Sequence, residues 1–161
     1  LKHCKKTLHS HSLKPDRRVL KMSKESMVSS AKASIEAYNS KDWDAVRNSI
    51  TEDCIYDEPA THRKSEGIDA VITDWKGWAT AMPDSHATFE AEHFTESGVV
   101  FELTWRGTNT GPMQGPDGEI PATGKSMEMR SCYVIEMEGD KAKVMKNYFD
   151  IGTMMAQLGL V

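Results

Sequence analysis

The sequence predicts an α+β fold in which about three helices pack on the concave side of a curved antiparallel sheet. Three observations support this fold class. Apolar residues recur at helical spacing in the first half of the chain, apolar and polar residues alternate in the second half, and a Gly- and Pro-rich loop separates two long strands. A strongly curved sheet closed by helices encloses a pocket, which is a natural place for a small ligand.

The first half of the chain carries the helix signals. Apolar residues at helical spacing mark three segments, which are residues 29–39, 43–50 and 67–82. Ser29 and Ser30 can cap the first helix, Asp42 can cap the second, and Pro83 ends the third. A short strand over residues 54–57 is predicted between the second and third helices.

Long strands fill the second half. Alternation of apolar and polar side chains marks four segments, which are residues 86–95, 99–106, 125–136 and 141–149. The loop at 107–124 joins the second strand to the third, and Glu138-Gly139-Asp140 predicts a hairpin turn before the fourth. Residues 151–158 predict a closing helical turn or two.

Length and charge limit the possible functions. The chain has 161 residues, which is enough for one domain with a core. Seven of its 20 basic residues but only one of its 24 acidic residues lie in positions 1–21, so the rest of the chain is acidic and a poor surface for nucleic acid. We therefore predict a basic, disordered leader over residues 1–27, one domain over residues 28–161, and no nucleic-acid partner.

The sequence also gives no sign of a membrane span, a secretory signal, a disulfide framework, a metal site or a nucleotide-binding motif. No apolar run approaches the roughly 18 residues of a membrane span, and no secretory signal is visible, so we expect a cytoplasmic protein with no membrane partner. The cysteines are widely spaced, and no two histidines have metal-ligand spacing with a carboxylate, so we predict neither a disulfide framework nor a metal site. No nucleotide-binding motif is present, and we predict no cofactor.

A set of short motifs resembles one protein family. The motifs are Cys54-Ile55-Tyr56-Asp57-Glu58-Pro59-Ala60, Ala81-Met82-Pro83-Asp84, Trp105-Arg106-Gly107-Thr108-Asn109-Thr110-Gly111, Ile120-Pro121-Ala122-Thr123-Gly124-Lys125, Asn147-Tyr148-Phe149-Asp150 and Gln157-Leu158-Gly159-Leu160. Together, and in this order, they resemble the SnoaL-like polyketide cyclases of the NTF2-like superfamily.

The resemblance implies both a fold and a class of reaction. It implies a cone-shaped α+β barrel of the NTF2-like kind. It also implies a cofactor-free acid/base enzyme, a cyclase or an isomerase/lyase, acting on a small apolar or aromatic, polyketide-like carbonyl compound. Because the superfamily includes noncatalytic members, the alternative is a small-molecule-binding or dimerisation module on the same fold.

Asp150 is the predicted catalytic residue. It follows the last long strand, where the polyketide cyclases that this sequence resembles carry the aspartate that acts as general acid/base. A carboxylate in an apolar pocket has its charged form disfavoured, so its pKa rises toward the working pH. The other interpretation is that Asp150 caps the helical turn after it. Alternation places Tyr148 on the same face as Asp150, and we predict that Tyr148 positions the substrate.

Five further residues are predicted substrate contacts. Glu58, which precedes a proline at a strand end as the catalytic aspartate of ketosteroid isomerases does, is the second candidate base; otherwise it is a solvated acid in a turn. Asn109 stands where many relatives have His, and an amide can bond a ligand but cannot shuttle a proton. Trp105 and Trp43 are predicted either to line the pocket mouth or to pack in the core. His86 is predicted to face the pocket or to lie exposed at a strand end.

The predicted sheet has a second, uncovered face. Helices on one side leave the convex face without a cover, and apolar residues there are exposed unless a second copy packs on them. We therefore predict a homodimer formed through the long strands.

Overall fold

The computed structural model describes residues 23–115 and 118–161. Residues 1–22 of the predicted leader lie outside the described residues. The helices are α1 (Lys24–Ser40), α2 (Trp43–Ser49), α3 (Ile68–Ala81) and α4 (Ile151–Leu158). Within the described part of the chain, no helix combines the length and the apolarity needed to cross a membrane.

Local hydrogen bonds set the helix boundaries. Ser23, rather than Ser29 or Ser30, caps α1, and its side chain accepts from the Ser26 N–H at 3.1 Å, so α1 begins earlier than predicted. Lys41 has a φ of 57°, a left-handed conformation that ends α1. Asp42 caps α2 as predicted, accepting from the Ala45 N–H at 2.9 Å. The single connection Lys41-Asp42 thus places α1 and α2 side by side.

Six strands form the main sheet. They are β1 (Ile50–Glu58), β2 (Arg63–Glu66), β3 (His86–Phe94), β4 (Gly98–Thr108), β7 (Ser126–Glu138) and β8 (Lys141–Phe149), in the spatial order β2-β1-β8-β7-β4-β3. All neighbours are antiparallel except β1 and β8, which are parallel. A separate small hairpin pairs β5 (Met113–Gly115) with β6 (Gly118–Ile120). The predicted α+β fold of helices against a curved sheet is confirmed.

The differences from the predicted elements have local causes. β2 was not predicted because its four residues, Arg-Lys-Ser-Glu, are polar on both faces; it lies at the edge of the sheet and pairs only with β1. The Gly- and Pro-rich segment contains the β5–β6 hairpin instead of being a loop throughout. β1 extends further toward the N-terminus than predicted, and it has a register irregularity against β8 between Ile50 and Ile55.

The concave face of the sheet holds the core. Alternate residues of β4 and β7 point toward the helices and are buried, among them Phe101, Leu103 and Tyr133. α1 packs across β3 and β4, and α3 packs against β1. A second apolar cluster, rich in methionine, joins the C-terminal end of α3 to β7 and α4. The space between these two clusters is where the cavity described below lies.

Candidate active site

A cavity opens between α1, α3 and α4 on one side and the concave face of β1, β4, β7 and β8 on the other. It holds about 600 Å³ of space between atoms, its open mouth included. Its walls are mainly aromatic and methionine side chains with a few polar groups, as is typical of small-molecule pockets. The lining residues are Ile35, Tyr38, Tyr56, Glu58, Trp75, Trp78, Met82, Ser85, Trp105, Met127, Met129, Tyr133, Asn147, Phe149 and Met154.

Glu58 is the carboxylate of this cavity. It is the last residue of β1 and only 2% exposed, so the interpretation of Glu58 as a solvated turn acid is wrong. The Tyr56 hydroxyl donates to its Oε1, and the Thr61 hydroxyl donates to its Oε2 at 3.0 Å. The Arg63 guanidinium lies 3.7 Å from Oε2. These partners explain how a carboxylate can be buried among apolar side chains.

The local sequence brings these partners together. Tyr56 and Glu58 are two residues apart on β1, so both face the cavity. Pro59 begins a single 3-10 turn, Pro59–Thr61, that reverses the chain and places Thr61 beside the carboxylate. β2 then runs antiparallel to β1 with Arg63 opposite Glu58. The five residues after Glu58 therefore supply both the Thr61 hydroxyl and the Arg63 guanidinium that neighbour its carboxylate.

Burial keeps the tyrosines around Glu58 in the neutral form. Burial raises the pKa of Tyr56 well above its ordinary value, the negative charge of Glu58 raises it further, and the Asn147 amide acts in the opposite direction. Burial, followed by the charge of Glu58, also raises the pKa of Tyr133 well above its ordinary value. Tyr56 is therefore a hydrogen-bond donor to Glu58 across the physiological pH range.

A second polar group lies at the Tyr38 side of the cavity. The Tyr38 hydroxyl and the Ser85 hydroxyl are 2.7 Å apart. The Lys41 ammonium donates to the Ser85 carbonyl at 2.5 Å and lies 4.1 Å from the centre of the Tyr38 ring. Burial lowers the pKa of Lys41 and raises the pKa of Tyr38. This group closes the cavity between the end of α1 and the turn before β3.

Aromatic rings connect the two polar groups. Trp75 packs edge-on against Tyr38 and Tyr56, with ring centres 6.0 Å and 5.6 Å apart. Trp105 packs edge-on against Tyr38 at 5.4 Å, and the Arg63 guanidinium lies 5.7 Å from the Trp78 ring centre. Flat aromatic walls of this kind favour a planar, apolar ligand.

The structure does not bring Asp150 into the cavity. Asp150 is the N-cap of α4, and its exposed side chain accepts from the Gly152 N–H at 2.9 Å, the Thr153 N–H at 3.2 Å and the Thr153 hydroxyl at 2.6 Å. These bonds, from the Thr153 hydroxyl first, lower the pKa of Asp150. Tyr148, two residues earlier, lies on the outer face and is 46% exposed. Asn147 and Phe149 of the same strand face inward.

Three other predicted contacts also lie outside the lining. Asn109 is fully buried, where its amide donates to the carbonyls of Ala81 and Gly111 at 3.1 and 2.8 Å and accepts from the Thr123 N–H at 2.7 Å. It thereby fastens the segment after β4 to the end of α3. Trp43 packs edge-on against the Tyr38 ring from outside the cavity. His86 is exposed and lines a shallow surface groove with Arg106 and Glu128, among others.

The sequence of this chain matches one known protein family. The family model described as SnoaL-like polyketide cyclase matches residues 29–158, most of the chain. The chain belongs to the SnoaL-like polyketide cyclase family. The resemblance inferred from the short motifs is therefore confirmed. A comparison with curated proteins finds no significant match.

Solved structures of this family and of related folds superimpose over most of the chain. TsrD from Streptomyces laurentii matches with a TM-score of 0.74 at 20% identity, covering 87% of this chain and 99% of TsrD. IdmH from Streptomyces antibioticus matches with a TM-score of 0.69 at 24% identity, over 82% and 97% of the two chains. An LEH-like epoxide hydrolase from M. tuberculosis matches with a TM-score of 0.66 at 15% identity, over 84% and 91%. At these identities the matches establish the fold.

Of the residues predicted from sequence to contact the substrate, Glu58 and Trp105 line the cavity. Sequence reasoning did not select Tyr38, Tyr56, Trp78 and Asn147, among others. One signal was available for two of them: once Glu58 faces a pocket, alternation puts Tyr56 there too, and the same rule on β8 would pair Asn147 with Phe149. Tyr38 and Trp78 lie on helices whose rotation about their axes depends on packing. Alternation could therefore not have found them.

Proposed function

We propose that this member of the family is an acid/base enzyme that moves a proton on a small apolar carbonyl compound, with Glu58 as the base. One observation carries the proposal: of the residues in 23–115 and 118–161 that line the cavity, Glu58 alone has a carboxylate. The aromatic walls would exclude water from the bound compound. Proton transfer between carbon and a carboxylate needs no cofactor.

The hydrogen bonds of Glu58 leave it able to act as a base. A carboxylate has about four lone-pair sites, and Tyr56 and Thr61 each use one. A free lone pair would take a proton from the carbon next to the carbonyl, the C–H electrons would form an enolate, and the same oxygen would return a proton to carbon or to the new alkoxide. An aldol-type cyclisation and an isomerisation both begin with this step. A positioned base of this kind contributes about 10²–10⁴-fold to rate.

Proton exchange on a simple ketone tests the proposal without knowledge of the natural substrate. β-Tetralone has acidic hydrogens beside its carbonyl, and their exchange in D₂O is followed by proton NMR. We expect the wild-type protein to accelerate this exchange and Glu58→Gln, which preserves the size of the side chain and keeps one of its two acceptor oxygens, to lower kcat/KM at least about 10²-fold. Circular dichroism verifies the fold of the variant.

Asp150→Asn is the matched control and tests the other candidate base. Asp150 remains a prediction from family resemblance, and its exposed side chain caps α4 and does not line the cavity. We expect Asp150→Asn to exchange β-tetralone at a rate within about threefold of wild type. A large loss in Asp150→Asn with an active Glu58→Gln would instead assign the reaction to Asp150.

A noncatalytic binding protein is the second candidate. Both oxygens of Glu58 already accept hydrogen bonds, and Arg63 lies nearby, so the carboxylate also serves as a structural anchor between β1, the 3-10 turn and β2. Binding of β-tetralone with no acceleration of exchange in wild type would favour this function.

We also propose that two copies of the chain pack through the outer face of the sheet. Val134, Val144 and Tyr148 lie on this face, partly or largely exposed, beside charged side chains such as Glu136 and Lys146. Exposed apolar side chains on a sheet face are a common part of homodimer surfaces. Light scattering at micromolar concentration should show a dimer for wild type and a monomer for Val134→Glu. Thr73→Glu, on the exposed side of α3, is the control and should remain dimeric. A monomeric wild-type protein would contradict the proposal.

A further inference from the structure

Two tryptophans of the cavity have indole N–H groups without an acceptor. The Nε1 atoms of Trp78 and Trp105 are shielded from solvent and have no hydrogen-bond partner among the residues that the structure describes. Both side chains line the cavity. Buried donors in native proteins are nearly always paired, and each unpaired one costs free energy, so an unpaired donor in a pocket wall requires an explanation.

Three hydroxyl groups of the cavity wall, by contrast, already have hydrogen-bond partners inside the protein. The Tyr56 hydroxyl donates to Glu58, and the hydroxyls of Tyr38 and Ser85 bond each other. These groups gain little from an incoming oxygen atom, because each would have to exchange one bond for another. Trp78 and Trp105 differ from them because an acceptor on a ligand would give each a first hydrogen bond.

The two indoles lie on different sides of the cavity. Trp78 stacks against the Arg63 guanidinium, which also lies 3.7 Å from Glu58, so Trp78 belongs to the Glu58 side. Trp105 packs against Tyr38, so it belongs to the Tyr38–Ser85 side. Trp78 is therefore an unpaired donor near the carboxylate of the cavity, and Trp105 is an unpaired donor on its Tyr38 side, with aromatic and methionine walls between them.

We infer that Trp78 and Trp105 hold the oxygen atoms of the ligand, each indole N–H donating to a carbonyl or enolate oxygen. The inference rests on the proposed function, because a base that forms an enolate needs a donor for the oxygen on which negative charge develops. Trp78, on the Glu58 side, takes that oxygen. Trp105 takes a second oxygen, so the ligand class is a flat compound with two oxygen acceptors separated by an apolar body.

A matched pair of probes tests the inference. β-Tetralone and tetralin have the same ring skeleton and differ by one carbonyl oxygen. We expect wild type to bind β-tetralone about tenfold more tightly than tetralin, the ratio of one hydrogen bond. Trp78→Phe removes the N–H and keeps an aromatic ring, and it should reduce this ratio to about threefold or less. Trp105→Phe should have a smaller effect on this one-carbonyl probe, because its oxygen belongs to the other side of the cavity.

Two control variants separate the effect of losing the Trp78 indole N–H from the effect of changing an aromatic ring. Trp75→Phe changes another ring of the cavity wall, and Trp43→Phe changes a ring outside it; both should preserve the tenfold ratio. Equal affinity of wild type for the two probes, or a ratio unchanged in Trp78→Phe, overturns the inference while the cavity remains a binding site. Failure of wild type to bind either probe overturns the proposed function itself, and the inference with it.

A second measurement follows the indole N–H groups of the wild-type protein directly. The chain has four tryptophans, so its indole N–H groups give a small set of NMR signals that substitutions can assign. Titration with β-tetralone should shift the Trp78 indole proton downfield, as expected for a new hydrogen bond, whereas tetralin should not. The Trp43 signal should remain unchanged. Equal shifts of the Trp78 proton with both probes would show ring contact without a donor role, and would overturn the inference.

Discussion

Glu58 and Asp150 end neighbouring strands, yet they lie in opposite environments. Because β1 and β8 are parallel, their C-terminal ends lie at the same end of the sheet, and both carboxylates are found there. Glu58 is 2% exposed and accepts bonds from side chains of β1 and of the following turn, while Asp150 is exposed and accepts bonds from the first turn of α4. A carboxylate at a strand end is therefore not by itself a sign of a catalytic site.

Strand alternation explains the difference. On β1 the inward-facing residues include Tyr56 and Glu58, whereas on β8 they include Asn147 and Phe149. Asp150 follows Phe149 directly and is in phase with Tyr148, which points outward. A shift of one residue along β8 would exchange the two faces. The comparison predicts that substitutions at the two carboxylates affect different properties of the protein.

The largest expected effect is on stability at Glu58. Glu58→Ala leaves the hydroxyls of Tyr56 and Thr61 without their acceptor and the Arg63 guanidinium without its nearest carboxylate. Leaving a buried donor without its acceptor costs about 1–3 kcal/mol, and we expect a loss of this order in the free energy of unfolding measured with urea. A loss below about 1 kcal/mol would contradict the hydrogen bonds from Tyr56 and Thr61 to Glu58.

The second effect tests the faces of β8. Asn147→Leu removes the amide beside the Tyr56 hydroxyl and places an apolar side chain in the cavity wall. We expect the β-tetralone exchange rate to fall about tenfold, equivalent to about 1.4 kcal/mol. Tyr148→Leu, one residue away on the outer face, should leave the rate within about twofold of wild type. The reverse order of the two losses would place the reacting compound on the other face.

The smallest effect concerns the cap of α4. Asp150→Ala should lower Tm by about 2–4 °C, while Asp150→Asn, which caps about as well, should stay near wild type. The Thr153 and Gly152 bonds lower the pKa of Asp150 in the folded state below its unfolded value. The stabilisation is therefore present above about pH 4 and lost as pH falls toward the folded pKa. The wild-type Tm should fall relative to Asp150→Asn only in that acidic window, as scanning calorimetry would show.

Much of the secondary structure could be predicted because its signals are local. β8 has the predicted bounds, and α3 differs by one residue at each end, because alternation and helical spacing are properties of consecutive residues. α1 was predicted to begin too late because Ser23 and Ser29 are both of a residue type that caps helices. In the structure Ser23 is the cap, and Val28 is buried in the core. β2 carries no apolar pattern, and it exists because it pairs with β1.

The candidate site was less predictable, because it is made of residues far apart in sequence. Trp105 and Glu58 were chosen from their own strands, but their neighbours come from α1, α3, β7 and β8. Asn109 was chosen by analogy with a histidine of the family. The structure gives its amide three hydrogen bonds to backbone, which fasten the segment after β4 to the end of α3.

By itself, the sequence determined the α+β class, the family and the phase of each strand. Alternation linked Asp150 to Tyr148, and the same rule would have linked Tyr56 to Glu58, without reference to any other part of the chain. Only the tertiary structure decided which face of each strand meets the helices, because that choice depends on how the whole sheet curves and packs. For that reason the carboxylate that lines the cavity is that of Glu58, whereas Asp150 caps the N-terminus of α4.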